Sequence, residues 1–71
     1  MQGVEQDLGE ATKWFRRAAE QGNSYAQLAL GAIYESGQGV DKDEVEAVRW
    51  YRKAAEQGNI AAQDTLKRLS K

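Results

Sequence analysis

The chain has 71 residues, 41% of them hydrophobic, a formal net charge of −1, and neither Cys nor His. At this length it forms one small domain that buries roughly 60% of the surface its unfolded chain exposes. Missing thiols and imidazoles remove a disulfide framework, thiolate chemistry, the usual general base and the commonest metal ligand, and the near-neutral charge argues against nucleic acid and anionic membranes as partners.

Met1 to Gln6 reads as a lead-in, with Gly3-Val4 as a loop element ahead of the first helix. Asp7 takes the N-cap position, and Glu10 follows three residues later as in a capping box. From Leu8 to Gln21, Ala11, Trp14, Phe15, Ala18 and Ala19 recur at three- and four-residue steps and share one helical face. Lys13, Arg16, Arg17 and Glu20 fall on the other face. Gly22 stands where a left-handed C-terminal cap belongs. Asn23 caps the next helix at once, and so short a turn forces an antiparallel hairpin. That helix spans about 24–36, with Ala26, Leu30, Ile33 and Tyr34 inward. Gly31 inside it costs about 1 kcal/mol relative to Ala, which implies close approach by a neighbouring helix. Gly37 to Lys42 is the one longer loop. A third helix is expected from Asp43, with Glu46 three residues on, to Gln57; its inward face is Ala47, Val48, Trp50, Tyr51, Ala54 and Ala55. Gly58 ends it, and Asn59 starts a fourth helix running to about Leu69.

The order is a repetition. WFRRAAEQGNSYAQ, starting at Trp14, returns as WYRKAAEQGNIAAQ, starting at Trp50, 36 residues further on. A fixed period of this size marks a stacked-repeat architecture. The predicted fold is therefore all-α, an α/α solenoid of two helix–turn–helix repeats with four antiparallel helices. The repeats span about 3–38 and 39–71. The second diverges where Gly31, Ala32 and Tyr34 have Lys67, Arg68 and Ser70 as counterparts. Such a polar outer face suits a C-terminal capping version of the unit.

Gly-Val, an acidic cap, Ala-x-x-Trp-aromatic-basic-basic-Ala-Ala-Glu-Gln-Gly-Asn, Ala-Gln and Leu-Gly-x-x-Tyr together resemble the Sel-1-like repeat, a relative of the tetratricopeptide repeat. The resemblance covers nearly the whole chain, twice. It implies an α/α solenoid serving as an adaptor or scaffold for protein complexes; separately, the residues themselves give no reason to expect a cofactor. It also implies a phase, because Leu30, Gly31 and Tyr34 match the tetratricopeptide helix that lines the concave groove. In that phase the partner-binding positions are Tyr25, Leu28, Ala32 and Glu35, then Ala61, Asp64 and Arg68. Their three- and four-residue spacing independently puts each set on one helix face.

The expected function is protein–protein interaction on this groove face, with a protein or peptide as the partner. Tyr25 and Leu28 are the apolar anchors, and Glu35, Asp64 and Arg68 the selectivity elements. The alternative is a self-associating or engineered consensus unit with a purely structural role, because repeat arrays generally need about three units for stability. Trp14 and Trp50 share a repeat position, so both are expected in the core. If no repeat lies ahead of it, Trp14, with Phe15, becomes a contact for another copy, and a homo-oligomer is the expected result. The basic residues are expected to pair with Glu10, Glu20, Glu46 and Glu56 along their own solvated helices. Asp41, Asp43, Glu44 and Glu46 lack the glycine and distal glutamate of a calcium loop, so no metal site is expected. With acidic residues at caps and exposed faces, the chain reads as a non-enzyme. No apolar run is long enough to span a bilayer, and no signal peptide is visible, so the default compartment is the cytoplasm.

Overall fold

Gly-Asn does the same work twice. The Gly22 and Gly58 backbones take φ of 96° and 89°, the left-handed region that favours glycine. Around each, the helix ends in a Schellman arrangement. Asn23 N–H reaches Ala18 C=O and Asn59 N–H reaches Ala54 C=O, both at 3.1 Å. The same asparagines then open the next helices. Asn23 Oδ1 accepts the Ala26 N–H at 3.0 Å, and Asn59 Oδ1 accepts the Ala62 N–H at 2.9 Å. One dipeptide thus stops a helix, reverses the chain and starts its neighbour.

The computed structural model describes residues 4–70. Four helices follow in order, α1 (Val4–Glu20), α2 (Ser24–Ser36), α3 (Glu44–Glu56) and α4 (Ile60–Leu69). Each packs on the one before it, with α2 on α3 as the central contact. This is an all-α solenoid of two helix–turn–helix repeats.

Between α2 and α3 the chain turns through Gly37 and Gly39, at φ of 75° and 74°. Asp43 N–H bonds Tyr34 C=O at 2.9 Å, which ties the start of α3 to the end of α2. Asp43 Oδ1 then accepts the Glu46 N–H at 3.1 Å as the expected cap. The same role fails at Asp7, because α1 already begins at Val4 and Asp7 lies inside it. The second copy's cap depends on a preceding helix to hold the aspartate. Among the described residues none precedes α1, so helix propagation, which adds a hydrogen bond for each residue fixed, continues through Asp7. Of the lead-in expected over Met1 to Gln6, Val4 to Gln6 belong to α1 instead, while Met1 to Gly3, and Lys71 at the end of the second repeat, lie outside the described residues.

The core forms where three helices meet. Ala19, Ala26, Leu30 and Trp50 are buried together, with Ala18, Ile33 and Tyr34 packed against them. Alanines at the contacts let the helix backbones approach, and the Trp50 ring fills the volume they leave. Trp14 corrects the expectation of two equivalent core tryptophans, for it is 66% exposed where Trp50 is 7%. Trp50 is covered by the alanines of α1 and by α2. Trp14 would need the corresponding helices one repeat earlier.

Gly31 explains itself. A Cβ built there would lie 2.7 Å from Cδ1 and Cε1 of Tyr51, so the close approach is made by a ring from α3. Tyr51 is buried and its hydroxyl donates to Glu35 Oε1 at 2.7 Å, so the ring has little room to retreat. Overpacking of about 1–3 kcal/mol outweighs the roughly 1 kcal/mol that alanine gains in helix propensity. Gly31→Ala is therefore expected to destabilise the chain by about 1 kcal/mol, read as a lower urea midpoint with unchanged slope.

Candidate protein-interaction groove

Helices α2 and α4 are successive members of the stack running in the same direction, so their first turns lie side by side. Asn23 and Asn59 fix where each helix begins, and that decides which side chains face outward there. Tyr25 is 80% exposed, and Ile60 on α4 is 70% exposed. With Leu28, Ala61 and the Gly58-Asn59 turn they line a shallow hollow of about 430 Å³. Tyr25, Leu28 and Ala61 are thus brought together as the sequence suggested. Ile60 was missed. Its signal was available, since Ser24 is its counterpart in the first repeat and an isoleucine at the exposed start of a helix has no packing role.

A polar tie runs from the hollow, whose lining includes Gln57, into the fold. Gln27 is buried, donates from Nε2 to Ala19 C=O at 3.0 Å, and accepts from Gln57 Nε2 at 2.9 Å. These bonds satisfy a buried amide and link the two hairpins.

The other end of the groove is charged. Glu35 faces Arg68 at 4.0 Å while also accepting the Tyr51 hydroxyl. Arg68 is mostly exposed, so the pair contributes at most about 1 kcal/mol. Burial, then the hydrogen bond to Glu35 and its charge, push the Tyr51 phenol well above its usual pKa, with Arg68 opposing. The phenol therefore stays protonated and keeps donating. Ala32 and Asp64 are exposed on the same two helices between the ends. Glu35 is consequently engaged within the fold by Tyr51 and Arg68, whereas Asp64 is exposed.

The basic clusters depart partly from the expected pairing. Arg49 does meet Glu46 at 3.6 Å, one turn away. Arg16 instead crosses to α2 and donates to the Tyr34 hydroxyl, an acceptor outside its own helix. Lys53 lies 5.9 Å from the centroid of the Trp50 ring. Among the described residues no group of three or more acidic, His or Cys side chains could hold a metal ion, and no helix is long and apolar enough to cross a membrane.

The Sel1 repeat family model matches residues 2–23 and 24–59. The chain belongs to the Sel1 repeat family. The second match takes α2 and α3 as one unit, the pair joined by the Gly31–Tyr51 contact. A crystal structure of a Sel1 repeat protein from Oxalobacter formigenes is 49% identical, with a TM-score of 0.84. The similarity covers 86% of this chain and 25% of that one, so the chain spans about a quarter of that protein's length. Among curated proteins, none matches significantly. Sel1 repeats are generally protein-interaction modules on a non-catalytic scaffold.

Proposed function

We propose that this Sel1 repeat unit binds a partner protein or peptide along the α2–α4 face, with the Tyr25 hollow as its anchor. One observation carries the reading. Two large side chains, Tyr25 and Ile60, stand exposed on either side of a concavity lined by Leu28 and Ala61. Tyrosines at the centre of an interface are frequent hot spots, and a concavity where Leu28, Ile60 and Ala61 stand among Ser24, Gln57 and Asn59 suits an apolar side chain with polar neighbours from the partner. Ala32 and Ala61 keep the groove open. Asp64 and Arg68 supply opposite charges that select the partner's register. A helix face or an extended segment meets these requirements.

The test begins with a random peptide library selected on the immobilised chain. For the tightest peptide obtained, Tyr25→Ala with Leu28→Ala is expected to weaken binding about 30-fold or more, in line with a hot-spot loss of at least about 2 kcal/mol. Neither side chain is part of the buried core, so circular dichroism should be unchanged. Trp14→Ala should bind normally. Affinity that survives the double replacement would overturn the assignment of this face.

Self-association is the second reading, and the exposure of Trp14 and Phe15 on α1 is what favours it.

A further inference from the structure

A cleft of about 490 Å³ opens between α1 and α3, and it shares no lining residue with the Tyr25 hollow. Arg16 and Glu20 line it from α1, and Glu46, Arg49, Trp50 and Lys53 line it from α3. Its cations are not all neutralised. Arg49 meets Glu46 at 3.6 Å, whereas Arg16 and Lys53 have no carboxylate within ion-pair distance among the described residues. Aromatic rings hold these two instead. Arg16 lies 5.8 Å from the centroid of the Tyr34 ring and donates to its hydroxyl, and Lys53 lies 5.9 Å from the centroid of the Trp50 ring. A ring fixes the position of a cation without cancelling its charge. The guanidinium, with five donors, also keeps most of them free. In the same cleft Trp50 is only 7% exposed, and its Nε1 has no acceptor among the described residues.

We infer that this cleft binds a carboxylate from an acidic segment of a partner protein, through Arg16 and Lys53. The site is separate from the α2–α4 groove. Three cations against two carboxylates leave a single net positive charge in the lining, which matches a singly charged carboxylate. A doubly charged phosphate would face Glu20 and Glu46 with less compensation. The Arg16 guanidinium offers the planar fork that fits a carboxylate, and Lys53 adds a point charge from the other helix. The unpaired Nε1 is a further donor, and an acceptor that reached it would recover the desolvation cost it now carries. Solvation accounts for cations that extend into open water. It gives no reason for two ring-held, unneutralised cations to line the same concavity as an unsatisfied donor.

A blocked peptide of glycine and glutamate, titrated into the isotope-labelled chain at low ionic strength and followed by NMR, tests this. The Trp50 indole resonance is expected to move, while that of Trp14, assigned with Trp14→Phe, stays still. Lys53→Gln should weaken binding about 5-fold, and Glu20→Gln should strengthen it about 2-fold by removing a competing charge. Arg16→Lys keeps the charge but loses the fork, and should also weaken binding. Arg52→Gln removes the same charge from α3 outside the cleft, and should leave the affinity nearly unchanged. Equal weakening by Lys53→Gln and Arg52→Gln would overturn the inference, because binding would then follow overall charge. So would tighter binding of inorganic phosphate than of the peptide, or a Trp50 resonance that stays fixed at millimolar peptide.

Discussion

Trp50→Ala is expected to cost the fold about 3–5 kcal/mol, while the same replacement at Trp14 should stay within about 0.5 kcal/mol. The two tryptophans occupy one repeat position, so sequence context is nearly held constant and burial alone differs, 7% against 66%. Trp50 closes the space between α1 and α2, and the small alanines around it cannot move in to fill the void left by alanine. Its indole Nε1 is buried with no hydrogen-bond partner among the described residues. The ring is therefore retained for its packing, which must also offset the desolvation of that N–H. A domain of this size has a core worth only about 3–5 kcal/mol. Trp50→Ala should consequently be largely unfolded at room temperature by circular dichroism, whereas Trp14→Ala should give an unfolding curve superimposable on that of the unmodified chain.

Leu30→Ala is expected to cost about 2–5 kcal/mol, towards the upper part of that range. Leu30 is fully buried at the junction of α1, α2 and α3. The cost of such a replacement depends on how far the site can collapse. Here Ala19 and Ala26 are too short to fill the gap, and the Trp50 ring is stiff. The counterpart in the second repeat, Leu66, is only half-buried, since among the described residues no helix other than α3 packs closely on α4. Leu66→Ala should cost clearly less, and urea titration of the two variants side by side measures the difference. Equal losses would mean that Leu66 is packed as closely as Leu30, contrary to the difference in their burial.

What the sequence revealed follows from where each feature is encoded. Helix ends were legible because a Gly-Asn pair or an Asp cap contains its own instruction, in a backbone conformation and one side-chain acceptor. The inward faces were legible because alanines and aromatics recur at helical spacing. Gly31 could be read as a close approach because its helix cost needs compensation, although only the structure showed that the neighbour is the Tyr51 ring. Burial of Trp14 could not be read, since it depends on helices beyond its own repeat. Asp7 failed as a cap for a related reason. The aspartate at position 43 works with the help of Tyr34 C=O, and α1 has no such neighbour among the described residues. Arg16 left its helix for a hydroxyl 18 positions away, a contact that local pairing rules do not anticipate. Repeat phase pointed to Tyr25, Leu28 and Ala61, which line one hollow, whereas Ile60 lines it too and that phase marked only the neighbouring position.

The molar mass of the unmodified chain in solution, measured by light scattering across a wide concentration range, tests most directly whether two Sel1 repeats form a self-sufficient unit with an open groove. A folded monomer of 7.9 kDa at every concentration is the predicted result. A stable dimer that reverts to monomer when Tyr25 is replaced by Ala would contradict it, because the groove would then be filled by the chain itself.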